Sequence, residues 1–374
     1  MRIALLTRRF DSAGGGTERD LIVTAECLRA SGHQVTIFAD EIRGATGDWN
    51  VRRVGAGPRL GRTLSLLRFG WTAAPAARRA GVDMVLSFAR CVAADLMRSG
   101  GGAHASYLRA ARKWRGALGA TAMRITPYHR VQMLVERQAF RHRGLKRVIA
   151  VSNFVRDDLI REFGLAPEKT VTIYNGVDLE RFRPALDSSE RAAIRHKFAV
   201  PASARVVAFV GNGFARKGLG FLIEAWPLVV GGAFLLVAGA DRQTDKFARR
   251  ARALNVGARV VFTGPQPNVE SIFHAADAFA MPSLFEPFGN VVMEAMASGL
   301  PAMTSAFSGV AEIIPASMRG FRVDNPDDVG EVALRLGALF DAPAGLAAEA
   351  RVTAEKFTWS RYAEELNTLI RSIG

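Results

Sequence analysis

Apolar runs of four to six residues alternate along this chain with glycine-rich turns and with stretches of helical periodicity. Residues 2–7 form the first apolar run, Gly14, Gly15 and Gly16 follow, Leu21, Ile22, Ala25 and Leu28 recur at helical spacing, and residues 35–38 form a second run. That succession is a βαβ unit. Thr17 and Asp20 stand three apart just after the glycines, a capping-box spacing that predicts a helix start there with its unpaired N–H groups toward the loop. Further runs at 84–88 and 148–151 extend the pattern to a doubly wound parallel sheet. A polar stretch bounded by Pro184 and Pro201 interrupts it, and the pattern resumes at 206–210 with Gly211, Asn212 and Gly213, then at 234–238, 260–262 and 278–281. The expectation is an α/β chain of two Rossmann-like domains facing across a cleft, at 1–183 and 204–356, joined by a linker at 184–203. Ligands of such sheets bind beyond the carboxyl ends of the strands.

Length agrees, since 374 residues exceed one ordinary core. A hydrophobic fraction of 49% with 23% charged residues describes a packed globular protein. The two cysteines, Cys27 and Cys91, offer neither a disulfide framework nor a zinc site, which fits a reducing cytoplasm. The apolar run after Met1 and Arg2 ends at Arg8, too short for a signal peptide. The longest apolar stretch, 225–240, is broken by proline and glycine and falls short of a span. Lysine and arginine outnumber aspartate and glutamate by 50 to 35, a net +15 that favours anionic partners such as phosphorylated substrates or phospholipid.

The chemistry concentrates in three places. Gly14 to Gly16 at a helix start suit an anion, although a tight strand-to-helix turn would read the same way. Gly211-Asn-Gly-Phe-Ala-Arg216-Lys217-Gly218 adds two cations, for which a diphosphate is the natural ligand. In the segment from Phe285 to Pro301, Glu286 follows a strand, Phe288, Gly289 and Asn290 lead into a helix, and Glu294 lies one to two turns inside it. Carboxylates on both sides of a helix N-terminus can hold the hydroxyls of two sugar rings with a phosphate between them.

That last string resembles the E-x7-E signature of glycosyltransferase family 4, whose members have the GT-B fold and retain anomeric configuration. Residues 151–155 and the run Tyr174-Asn175-Gly176-Val177-Asp178 resemble the family's mid-chain pattern. The segment beginning Phe357-Thr358-Trp359 resembles its C-terminal stretch, which implies that 357–374 packs back on the first domain. Within the family, the start at 14–20 and the run ending at Gly218 look most like the lipopolysaccharide-core glucosyltransferases (the WaaG-like subgroup). The resemblance implies a retaining hexosyltransferase that takes its sugar from a nucleotide diphosphate donor, with UDP the expected nucleotide. Glu286 would contact hydroxyls of the transferred sugar, Glu294 the ribose, and Arg216 and Lys217 the diphosphate. Backbone at Phe288, Gly289, Asn290, Gly211, Gly15 and Gly16 would hold the remaining oxygens, and the base would meet backbone near Gly264 and Pro265. No D-x-D motif is present, so neither a catalytic metal nor another cofactor is expected.

His104, in a glycine-rich loop after the run at 84–88, is the acceptor-side catalytic candidate, with Asp95 and Asp11 secondary to it. Between 107 and 147 cations far outnumber acids. Arg109, Arg112, Lys113, Trp114, Arg115, Arg124 and Arg130 read as a peripheral docking face for the inner side of the cell membrane, where an anionic glycolipid or lipid-linked glycan would be the acceptor. A phosphate-rich acceptor site or a solvated helix would leave a similar pattern. The competing functions are a sugar-nucleotide epimerase or phosphorylase of the same fold and a nucleic-acid-binding protein. The first would need added acid-base groups around the sugar, and the second lacks a recognisable motif.

Overall fold

The computed structural model describes residues 1–12, 14–54, 61–229 and 232–373. The chain divides into two compact units, residues 1–176 with 359–374, and residues 177–358.

The first unit is built on a parallel sheet of seven strands: β1 (Arg2–Asp11), β2 (Gln34–Arg43), β3 (Val51–Arg53), β4 (Met84–Ser87), β5 (Leu96–Ser99), β6 (Arg147–Ala150) and β7 (Thr170–Thr172). Their order is β3-β2-β1-β4-β5-β6-β7, so the winding reverses between β1 and β4. Ile3 to Leu6 and the whole of β4 are buried, as a sheet covered on both faces requires. The helix Asn153–Phe163 shows the local logic: Ser152 Oγ accepts the Val155 N–H at 3.1 Å to cap its start, and Gly164 closes it at φ 63°.

The helix Trp359–Ile373 presents Tyr362, Leu366 and Ile370 on one stripe, which joins Leu21, Ala25 and Leu28 of the helix Gly16–Ala30 in one core cluster. Leu366 and Ile370 are fully buried, and each contributes about 1.5–3 kcal/mol. Tyr362 Oη lies 2.9 Å from Thr24 Oγ1, so the far end of the sequence is tied to the first unit by a buried hydrogen bond as well as by apolar packing. Gly374, the last residue of the expected 357–374 segment, lies outside the described residues.

The second unit carries a parallel sheet of five strands: β8 (Val206–Val210), β9 (Phe234–Ala238), β10 (Val260–Gly264), β11 (Ala278–Ala280) and β12 (Ala302–Met303). Their order is β10-β9-β8-β11-β12, with its own reversal between β8 and β11.

Two expectations need correction. The stretch 184–203 is no linker: it contains the helix Ser188–Lys197, capped by Asp187 Oδ1, which accepts the Ser189 and Glu190 N–H groups. Arg195 on that helix is 4% exposed and donates to the carbonyls of Ala202, Ala204 and Ala275 and to Asp277. Those bonds make the segment part of the second unit, and the division falls at Gly176 and Val177. The helix after the glycines begins at Gly16 with Gly15 as its cap, without a side-chain capping bond. Asp20 turns inward to a buried arginine instead of capping the helix.

Candidate functional site

In the second unit the reversal of strand order places the loop after β8 beside the loop after β11, the position where open α/β sheets hold ligands. The β8 loop carries Arg216 and Lys217, and the β11 loop carries Glu286. Glycine sets their approach. Gly218 has φ 85°, and a Cβ there would lie 2.1 Å from the Pro282 carbonyl oxygen; a Cβ on Gly211, at φ 139°, would strike Lys217 Cε at 2.6 Å. The lysine side chain thus lies over bare backbone.

Lys217 Nζ donates to Glu286 Oε2 at 2.7 Å and Arg216 Nη1 donates to the same oxygen at 2.9 Å. Arg216 Nη1 also reaches the Phe285 carbonyl at 2.6 Å, while Leu284 N–H donates to the Arg216 carbonyl. Burial works to raise the pKa of Glu286, but the adjacent Lys217 and Arg216 outweigh it and hold the carboxyl down to about 2. Lys217 is 8% exposed, and burial lowers its pKa while Glu286 pulls it back. The result is an anchored pair of positive charges with their geometry fixed by one carboxylate.

The helix Asn290–Ala297 starts beside this cluster, with Gly289 as its cap at φ 107°. The loop before it is bolted on both sides: Glu286 N–H donates to the Phe307 carbonyl, Gly309 N–H to the Glu286 carbonyl, and both Val310 N–H and Ser308 Oγ to the Phe288 carbonyl. Phe288, 4% exposed, therefore serves as scaffold. Glu294, half-buried on the helix, is close enough to act electrostatically on Lys217. Gly264 connects to the same region through backbone. Gly239 N–H donates to its carbonyl at 3.0 Å, and a Cβ on Gly239 would lie 2.2 Å from the Gly211 carbonyl oxygen. The loops after β8, β9 and β10 thus adjoin, with Pro265 next in the chain.

The first unit holds a separate groove of about 1310 Å³, also at its sheet reversal, walled by β1 and by the segments after β4 and β5. His104 lines it, with Tyr107, Tyr128 and Gln132. Its backbone N–H donates to Glu136 and its Nε2 lies 2.9 Å from His129 Nδ1. Burial, then the neighbouring His129 and Arg90, lower its pKa to about 4, so at neutral pH the ring is uncharged and can donate or accept one hydrogen bond.

A pH test follows. Below about pH 6.5 the unfolded chain protonates this ring and the folded chain resists until about pH 4. Stability should therefore fall as pH drops through that window. The wild-type melting temperature should decline more between about pH 7 and about pH 5 than that of His104→Gln. Equal slopes would show that His104 titrates normally.

Asp95 accepts the Val85 N–H at 2.8 Å and pairs with Arg78, which makes it a brace between β4 and β5 outside the groove lining. Asp11 ends β1 and is likewise absent from that lining. Gly15 and Gly16 have nothing within 4 Å of where a Cβ would stand, so their backbone is bare.

Residues 14–181 match the family described as Glycosyltransferase Family 4, and residues 190–356 match Glycosyl transferases group 1. The chain belongs to the family 4 glycosyltransferases. An uncharacterized glycosyltransferase of Methanocaldococcus jannaschii is 30% identical over 226 residues, 59% of this chain and 58% of that one. A D-inositol 3-phosphate glycosyltransferase of Saccharomonospora viridis is 30% identical over 262 residues, 66% of this chain and 59% of the relative. The chain thus spans somewhat over half the length of these curated relatives. Among solved structures, WaaG, a glycosyltransferase involved in lipopolysaccharide biosynthesis, matches with a TM-score of 0.82 at 21% identity, covering 98% of this chain and 99% of the other. Anabaena HepE in complex with UDP matches with a TM-score of 0.75 at 19% identity over 100% of both chains. At such identities the likeness is one of fold, two parallel-sheet Rossmann-like domains of the GT-B type.

In this family 4 glycosyltransferase, sequence reasoning missed a buried network behind the groove. Arg98, 2% exposed, donates to Asp20 Oδ2 at 2.8 Å and to Asn175 Oδ1 at 2.6 Å, and Asn175 Nδ2 donates back to Asp20 at 3.2 Å. The available signal was an arginine inside the otherwise buried strand run Leu96–Ser99. Asn175, noted only as part of a family pattern, clamps that charge.

Proposed function

We propose that this glycosyltransferase transfers a hexose from a UDP-sugar to a membrane-associated glycolipid such as lipopolysaccharide core, with retention of anomeric configuration. One observation carries the donor half: Arg216 and Lys217 converge on Glu286 beside the start of the helix Asn290–Ala297, at the reversal of the sheet. A sugar diphosphate presents the matching chemistry. Its phosphates meet the two cations and the helix N–H groups, and its sugar hydroxyls meet Glu286. Glu294 takes the ribose diol, and backbone at Gly264 and Pro265 takes the base. HepE, of the same fold, is described in complex with UDP.

As the anomeric bond breaks, negative charge grows on the departing β-phosphate. Groups already fixed in place stabilise that charge without reorganising, which is the largest contribution a preorganised site makes. In this reading Arg216 and Lys217 meet the charge in place of a metal ion. For retention, the acceptor hydroxyl attacks from the face the phosphate leaves, and the phosphate takes its proton. His104, uncharged in the groove of the first unit, positions the acceptor by a hydrogen bond.

The membrane half rests on the helical segment Arg112–Ile125, kinked at Gly116 where φ is 72°, of which Ala120 alone is buried. Leu118 is 89% and Ile125 68% exposed, and Arg112, Lys113, Arg115 and Arg124 are exposed on the same element. Cations near an anionic bilayer contribute on the order of 1 kcal/mol each. Arg130 extends the basic surface, Trp114 is half-buried, and Arg109 is engaged elsewhere, with Glu162 and Ser106. No helix among the described residues is long and apolar enough to cross a membrane. Binding to phosphatidylglycerol vesicles should weaken with salt, and Leu118→Glu with Ile125→Glu should reduce it about tenfold or more. Unchanged sedimentation with vesicles would remove the docking face.

The whole reading is tested by incubating the protein with labelled nucleotide sugars and lipid-extracted membrane glycolipids. Consumption of one donor, with label appearing in the lipid fraction, is expected. Release of nucleotide from none of them, with no labelled lipid, would overturn it.

A further inference from the structure

Charge in the first-unit groove does not balance. Among the described residues, eight arginines line it against four carboxylates. Each carboxylate is already committed: Asp40 lies 3.2 Å from both Arg8 and Arg68, Glu18 holds Arg9, Glu41 holds Arg43 and Glu136 holds Arg90. Arg98 is matched from behind by Asp20.

Two arginines remain. Arg53 donates to the Asp40 backbone carbonyl, and Arg62 stacks over the Tyr128 ring at 4.0 Å; neither has a carboxylate at ion-pair distance among the described residues. Both are exposed on the groove wall. The Nε atoms of Arg8 and Arg98, which also line the groove, are buried with no hydrogen-bond acceptor. Concave walls of one sign focus their potential inward. A guanidinium fork with open donors matches phosphate oxygens in pairs. The uncharged groups at the same site, His104, Tyr107 and Gln132, suit sugar hydroxyls.

From this arrangement we infer that the groove is built for an acceptor that carries phosphate on or next to its sugar, held through Arg53 and Arg62. This deepens the acceptor half of the proposed function and rests on it; the donor half does not enter. A lipid-linked sugar and a soluble phosphorylated sugar share that chemistry, and the experiment separates them.

The full chain is saturated with UDP, so that the cations of the second unit are occupied, and titrated calorimetrically with inorganic phosphate, glucose 6-phosphate and glucose. A parallel arm uses phosphatidylglycerol vesicles. Glucose 6-phosphate should bind more tightly than glucose. Arg53→Ala with Arg62→Ala should weaken it about tenfold or more, the scale of one lost charge-assisted contact, while Arg250→Ala, on the surface of the second unit, should leave it unchanged. Binding of vesicles but not of the soluble phosphates, weakened by the same pair of changes, would support the inference and place the phosphate on lipid. The inference fails if neither phosphate nor vesicles bind, or if the double variant binds them as the wild type does. UDP affinity, read in the same instrument, reports on the donor site separately, so the two failures are distinguishable.

Discussion

Lys217→Ala should lower turnover on the nucleotide sugar by roughly 10²–10³, the cost of removing one preorganised donor to a developing oxyanion. Two effects add. The ammonium proposed to meet the leaving phosphate is gone. Glu286 also loses the nearer of its two cations, at 2.7 Å, and its burial then works to raise its pKa with Arg216 alone opposing it. Lys217→Arg should recover little. The lysine lies flat over Gly211, where an added Cβ would already meet its Cε at 2.6 Å, and a wider guanidinium has to follow the same channel. Steady-state rates with the preferred donor check this. Turnover within about twofold of wild type would remove Lys217 from the chemistry.

Arg98→Met should destabilise the first unit by about 3–5 kcal/mol, because it removes from a buried cluster the cation that donates to the Asp20 carboxylate and to Asn175. For a unit of this size that is a fall in melting temperature of roughly 6–20 °C. Pairing the change with Asp20→Asn removes the buried negative charge as well and should restore much of the loss, which separates charge burial from lost volume. Differential scanning calorimetry of the single and double variants decides it. A single variant as stable as wild type would mean that the Asp20 site is wetter than the packing shows.

That Arg216, Lys217 and Glu286 would share one end of the second sheet was legible in the sequence because the segments that carry them are local. Glycines at the strand ends and the string from Glu286 to Glu294 lie in short runs, and strand order brings the two loops together as any doubly wound sheet does. What the string did not disclose is that Arg216 and Lys217 engage Glu286 itself, a contact that depends on how Gly218 folds against Pro282. The short strands β3, β5, β7 and β12, of two to four residues, escaped because they carry too little periodicity to stand out. The stretch 184–203 read as a linker for its polarity, yet Arg195 anchors it through four backbone and side-chain acceptors that no local pattern encodes. The arginine groove is the extreme case. Its residues come from seven or more separate stretches between Thr7 and Glu136, and only the fold makes them neighbours.

The most direct test of the donor site is isothermal titration of UDP into the wild-type chain and into Lys217→Ala. Binding to the wild type with a loss of about tenfold or more in the variant is the expected result. Failure of UDP and of every other nucleoside diphosphate to bind, or equal affinity for both proteins, would contradict the placement of the nucleotide sugar at Glu286, Arg216 and Lys217.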